Sequence, residues 1–347
     1  MSKSVRIVLC GLGNVGKAFL ELVAERGGEI ETRYGLRLIV SAAVDIGGAA
    51  MMGEDGLPAA ELLAHLRTGH AVETFAPGGS PGVSGVEAIN QAGADVLIET
   101  TPTNLVDGEP GRSHIFAALE RGMEVVSANK GPIVLFYREI HELARQKGSG
   151  VHISAATAAA LPALDVGQVC LAGARLLEIE GILNGSTNYI LTRMQQDGCG
   201  YEAALKEAQA LGIAETDPSL DVEGRDTANK MILIANRLFG MSLGPGDVTV
   251  EGITRLTPED VATSKAAGQV IKLIGFAERT DSGVRLSVSP KRLEKDHPLA
   301  AVSGSEKAIS YLTDTMHRIT VSGGKSSPVG AAAALLKDLI NACASNA

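Results

Sequence analysis

VRIVLCGLGNVG, residues Val5 to Gly16, joins a short apolar, partly β-branched run to a glycine-rich turn, and its reading decides the fold. Val5 to Cys10 is the length and composition of a buried strand. KAFLELVAERG follows with helical periodicity, which is expected to stop at the Gly27-Gly28 pair. A GxGxxG turn between strand and helix has a specific mechanism. Gly11 permits the tight turn, Gly13 lets a pyrophosphate approach the backbone, and Gly16 lets helix and strand pack closely. Leu12, Asn14 and Val15 sit among them, where the helix N-terminus presents unpaired N–H groups to an anion. The competing reading is a turn that needs Gly only for positive φ.

Working outward, Leu36 to Val44 reads as a second strand, ending at Asp45. An acid there accepts from a ribose 2′-hydroxyl and repels a 2′-phosphate, which favours NAD over NADP, with Arg33 and Arg37 close enough in sequence to oppose that. Asp45 follows Gly16 by 29 residues, a long interval assigned to the helix and to a loop from Gly27 to Leu36. Glu61 to Thr68 and Ser113 to Arg121 read as helices, Ala94 to Glu99 and Glu124 to Ser127 as strands, and Thr74 to Gly85 as a turn-rich loop. Strands alternating with helices predict a Rossmann-type, doubly wound parallel sheet over residues 1–152. Beyond it the texture changes. LLEIEGIL is a strand candidate, Asn188 to Gln196, Tyr201 to Leu211 and Asp226 to Phe239 read as helices, and Gly212 to Glu223 is an acidic loop. An α+β domain over 153–318 is expected, with 319–347 returning to the first domain through a helix at Pro328 to Ile340.

The 347 residues carry a net charge of −9 and only 3% aromatic residues, which argues against a nucleic-acid backbone or an anionic membrane as partner. Four cysteines form no CxxC pair, as expected of free thiols in a reducing cytoplasm, and no apolar run is long enough to span a bilayer. No internal repeat is evident.

Other residues stand out for their chemistry. Lys130 follows the strand ending at Ser127, so it falls at the carboxyl edge of the sheet, where ligands bind; a surface turn lysine is the alternative. Asp226 and Lys230 are spaced i, i+4, so they meet on one helix face, either as a functional pair or as an exposed salt bridge. Glu215, Asp217, Asp221, Glu223 and Asp226 place five acids within 12 residues, enough for a cation or a substrate ammonium, or simply a solvated face. Gly324-Lys325-Ser326 is not a P-loop, because Ile319 stands where its first Gly is required.

Taken together, the chain resembles homoserine dehydrogenases of the archaeal type, in a short form without a regulatory ACT domain. GILNGSTNYILTRM (Gly181 to Met194), Glu207-Ala208-Gln209 and GIAETDPSLDVEGRDTANK (Gly212 to Lys230) carry the resemblance most specifically, and IETTPTN (Ile98 to Asn104), VDGEPGRSHI and SANKGP (Ser127 to Pro132) add to it. The resemblance implies NAD(P)-dependent interconversion of L-homoserine and L-aspartate 4-semialdehyde, in threonine, methionine and isoleucine biosynthesis, by a homodimer joined through its second domain. It implies that Lys230 is the catalytic lysine, with Asp226 and Asp221 shaping its pocket. It further implies that Lys130 sits between cofactor and substrate, that Glu215 binds the substrate ammonium, that Gly185 and Ser186 touch substrate, and that Thr100 and Thr101 line the nicotinamide side.

The chain departs from the family in two places. Ser154 to Pro162 reads SAATAAALP where the family has EAxVGGGxP, so Ser154 replaces a glutamate that helps hold a monovalent cation. The carbonyls of Thr157, Ala159 and Leu161 remain as weak ligands, and no metal site is expected with assurance. Gly324 and Lys325 stand in the family's GxGAG turn, which puts a basic residue at the cofactor side. Two other functions compete: a related dehydrogenase for another amino or hydroxy acid, and a nicotinamide-binding sensor without catalysis.

Overall fold

The computed structural model describes residues 2–324 and 326–344. The chain divides into two compact units, residues 1–156 with 327–347, and residues 157–326.

The first unit is built on seven strands: β1 (Lys3–Cys10), β2 (Leu36–Asp45), β3 (Gly48–Met51), β4 (Gly79–Pro81), β5 (Val96–Glu99), β6 (Glu124–Ser127) and β7 (Val151–His152). They lie in the order β4-β3-β2-β1-β5-β6-β7. The run β2-β1-β5-β6-β7 is parallel, and β3 and β4 extend it antiparallel. Consecutive residues Ile7 to Cys10 are all 0% exposed, as a central strand covered on both faces requires. Phe19 and Leu20 of the helix Asn14–Tyr34 share one core with Leu335, Leu336 and Leu339 of the helix Pro328–Cys343. The chain therefore splits to either side of β1, which creates a crevice at the carboxyl ends of the strands.

Two local expectations need correction. The helix Asn14–Tyr34 runs straight through Gly27-Gly28 and stops at Gly35, which takes the left-handed conformation (φ +66°) and donates to the Glu31 carbonyl. Each mid-helix Gly costs about 1 kcal/mol, but Ile30 beyond them is buried in the core and holds the last turns in place. The interval before Asp45 is thus helix rather than loop. Thr74 to Gly85 is not all loop either. It contains β4, and Ser84 opens the helix Gly85–Gln91 with a reciprocal cap to Glu87. A three-residue edge strand has too little sequence to show periodicity.

The second unit holds β8 (Leu176–Ile182), β9 (Val248–Val250), β10 (Gln269–Thr280), β11 (Gly283–Glu294), β12 (Lys307–Thr313) and β13 (Arg318–Gly323), in the order β13-β12-β8-β10-β11-β9. All pairs are antiparallel except β11 with β9. Helices Gly185–Asp197, Arg225–Phe239 and Pro258–Ala266 pack against this sheet around Ile190, Met194, Ala228 and Leu273, and Tyr201–Ala210 packs on Gly185–Asp197. The fit is close at Gly275, where a Cβ would lie 3.0 Å from Met231 Cε. Among the described residues, no helix is long and apolar enough to cross a membrane.

Candidate active site

In the first unit the glycine turn opens onto a cleft of about 940 Å³. Gly11, Leu12, Gly13, Asn14, Val15, Asp45, Thr100 and Thr101 all line it, as expected from the sequence. The three glycines differ as their positions require. Gly11 has φ +92°, and a Cβ there would lie 2.6 Å from the Thr100–Thr101 backbone. Gly16 does not line the cleft; its Cβ would fall 2.0 Å from the Gly11 carbonyl. Gly13 has open space on that side, the room a diphosphate needs. Arg33 and Arg37 are not among the lining residues.

A buried polar network, not anticipated from the sequence, sets the floor of this cleft. Glu99, fully buried at the end of β5, accepts from His114 Nδ1 at 2.8 Å and from the Thr101 amide at 2.7 Å, and the Thr101 hydroxyl also donates to it. Asn129 Nδ2 donates to Thr101 Oγ1 at 3.0 Å, and Thr100 Oγ1 bolts the turn by donating to the Gly11 carbonyl at 2.7 Å. Cys10 is the third member of a Cys10, Glu99, His114 group; burial first, then the Glu99 charge, push its thiol pKa well up, which leaves it a poor ligand and nucleophile. Lys130 begins the helix Lys130–Leu135, half-buried, and is not among the residues lining the cleft. Its neighbour Gly131 packs on Asn104, which does line it.

In the second unit the GILNGST segment turns from β8 into the helix Gly185–Asp197, and Asn184 caps that helix. Asn184 Oδ1 accepts from Thr187 N at 3.0 Å, while Nδ2 donates to Asp221 Oδ1 at 2.6 Å and Asp226 Oδ2 at 2.9 Å. Lys230 Nζ reaches Asp226 Oδ2 at 2.5 Å and the Leu183 carbonyl at 3.0 Å. The side chains of Lys230 and Asp226 are only 14% and 13% exposed, so this is no ordinary surface salt bridge. The helix begins at Gly185 rather than at Asn188, and neither the cap at Asn184 nor its hold on two carboxylates was read from the sequence.

The five acids do not form one cluster. Asp221 and Asp226 meet through Asn184, Glu223 pairs with Arg225 at 2.9 Å, and Asp217 caps a turn by accepting from Ser219 N. Glu215 is exposed, and its carbonyl accepts from Gln209 Nε2. Ser186 Oγ donates to the Ile213 carbonyl at 2.9 Å, and Gly185 packs on the Ser305 backbone. Gly324 (φ +69°) lies against Ala160 and Leu161, and Lys325 falls outside the described residues.

The residues present do not suit a free monovalent cation. Within the first unit, Ser154 gives both its amide and its hydroxyl to Asp338 at 2.9 Å, and Lys337 donates to its oxygen. Within the second unit, the Leu161 carbonyl already accepts from Ala163 N, and a buried lysine ammonium, that of Lys307, lies on the Ala158 carbonyl. A second positive charge beside it is repelled.

The homoserine dehydrogenase family pattern matches residues 162–340. The chain is 37% identical over 337 residues to an NAD(+)-dependent homoserine dehydrogenase of Pseudomonas canavaninivorans, covering 97% of this chain and 95% of the relative. It is 37% identical to a homoserine dehydrogenase of Methanocaldococcus jannaschii, covering 96% and 97%. Its fold is similar to that of a hyperthermophilic archaeal homoserine dehydrogenase solved in complex with NADPH, with a TM-score of 0.82, 25% identity and 98% of each chain covered.

Proposed function

This chain belongs to the homoserine dehydrogenase family, and from that premise we propose how its residues divide the work. It is an NAD(P)-dependent oxidoreductase that interconverts L-homoserine and L-aspartate 4-semialdehyde in amino-acid biosynthesis. The first unit holds the dinucleotide and the second carries substrate and dimer contacts.

Gly13 and the amides around Leu12, Asn14 and Val15 receive the diphosphate, and Asp45 accepts from the ribose hydroxyls. Thr100 and Thr101 bound the nicotinamide side, Thr101 held by Glu99 and Asn129 and Thr100 by the Gly11 carbonyl. Asp45 supports NAD as the preferred coenzyme, since a carboxylate there opposes a 2′-phosphate. When bound, the nicotinamide takes up or releases the hydride.

The observation that carries the assignment of Lys230 is its buried bond to Asp226, itself held by Asn184. Two acceptors fix the amine in place as a donor. It aims a positive charge at the substrate oxygen on which negative charge develops, and returns a proton there in the reducing direction. Asp221, which accepts from Asn184, keeps the pocket polar. Glu215 receives the substrate ammonium, Gly185 and Ser186 present backbone to the substrate, and Lys130 is a second functional amine, carried by the first unit. The enzyme works as a cytoplasmic homodimer; four cysteines without a disulfide support the reducing compartment.

Kinetics with L-homoserine and each coenzyme in parallel test this reading. Reduction of either coenzyme is expected, with NAD⁺ the better. No reduction of either overturns it. Turnover of a different amino or hydroxy acid instead would move the chain to another substrate within the same chemistry.

A further inference from the structure

Lys307 opens β12 with only 2% of its surface exposed, a rare place for a lysine. A buried ammonium persists only where oxygen atoms replace its water. The Nζ of Lys307 donates to the Ala158 carbonyl at 2.8 Å. That same oxygen accepts from Leu161 N at 3.2 Å, so the turn at 158–161 closes on an atom the lysine also holds.

The turn needs such support. Ala159 has φ +53°, a left-handed conformation that L-residues other than Gly adopt at a cost and that persists only when the surroundings impose it. Gly324 packs on the far end of the turn, where a Cβ would lie 3.0 Å from Leu161 N. Tyr311, four residues along β12 on the same face as Lys307, is fully buried and donates to the Ala163 carbonyl at 2.6 Å. One face of one strand therefore grips the carbonyls of the 158–163 segment at two points.

This is the segment in which Thr157, Ala159 and Leu161 were candidate ligands for a free monovalent ion, and in which the acid at 154 is absent. We propose that the Lys307 ammonium is the resident cation of this turn, a positioning residue tethered to β12 that takes the place of a bound alkali-metal ion. The chain then needs no sodium or potassium to hold the turn for turnover. The inference rests on the functional reading above only for its kinetic arm.

The test compares wild type and Lys307→Ala in sodium, potassium and tetramethylammonium chloride at matched ionic strength. Wild-type kcat/KM for homoserine is expected to agree across the three salts within about twofold. Lys307→Ala should fall at least about tenfold in tetramethylammonium chloride and recover, with saturation, on adding potassium, ammonium or methylammonium. Sodium-23 relaxation gives a readout without turnover: no saturable broadening with wild type, and saturable broadening with the variant. Saturable activation of wild type by sodium or potassium, or saturable sodium broadening by wild type, overturns the proposal. So does a folded Lys307→Ala that keeps wild-type activity in tetramethylammonium chloride, or one that no cation rescues. If the variant does not fold, the wild-type measurements decide alone. If wild type fails to turn over homoserine, the functional reading falls while sodium relaxation still decides this one.

Discussion

Asn184 and Asp226, forty-two positions apart, are joined by a 2.9 Å hydrogen bond from Nδ2 to Oδ2, on the same carboxylate oxygen that Lys230 binds. One amide thus starts a helix with its oxygen and orients the lysine's partner with its nitrogen. Asn184→Asp separates the two tasks. The capping oxygen survives, but the donor to Asp221 and Asp226 becomes a third carboxylate between them. Far-UV circular dichroism should stay that of wild type while kcat/KM drops at least about tenfold. Asn184→Ala should also lose about 1 kcal/mol of stability from the missing cap, read by urea unfolding.

Lys230→Ala should lower kcat by about a hundredfold to ten-thousandfold, the range for loss of a positioned proton donor or acceptor. Dinucleotide affinity, measured by fluorescence of bound reduced coenzyme, should change little, because the cleft is built from residues of the first unit. Wild-type turnover in this variant would remove Lys230 from the mechanism.

Asp45 lines the cleft at the end of β2, with its Oδ1 accepting from Ile46 N at 3.0 Å. Asp45→Ser removes the charge and leaves a short polar group. The ratio of kcat/KM for NADP⁺ over NAD⁺ should rise about tenfold or more, through a better KM for the phosphorylated coenzyme. An unchanged ratio would mean that another residue reads the ribose.

Glu99→Gln keeps the shape of the buried network under the cleft but removes the charge that faces His114. We expect a higher KM for the dinucleotide and little change in KM for homoserine. Equal rises in both would point to general loosening of the fold.

Burial pushes the Lys272 ammonium down to about 8, even though Asn188 Oδ1 and the Val302 carbonyl accept from it. An unfolded lysine titrates near about 10.4. Between those values the unfolded chain binds the proton and the native one does not, so stability rises with pH across that window. Below it the full burial penalty is present, at most about 3 kcal/mol. Urea unfolding of wild type and Lys272→Met at neutral pH and near pH 10 checks this. Wild type should gain on the variant as pH rises; a constant difference would place the group at its ordinary value.

The glycine turn, the alternation of strand and helix and the final helix itself were legible, because local periodicity and turn chemistry encode them directly. The helix that passes through Gly27-Gly28 was not, since Ile30 overrides the local breakers only by reaching a core assembled from elsewhere in the chain. The edge strand Gly79–Pro81 was lost for a similar reason: its identity lies in its partner, β3.

For the site, the sequence by itself determined which residues carry charge and which lie within reach along one helix, as with Asp226 and Lys230. Only the tertiary structure decided which of the five acids meet Asn184, that Glu99 holds Thr101 and His114, and that Lys307 turns inward onto the Ala158 carbonyl. A backbone pattern fixes neighbours a few residues apart. A buried polar group must find whatever partner the packed chain brings to it, and that partner is set by the whole fold.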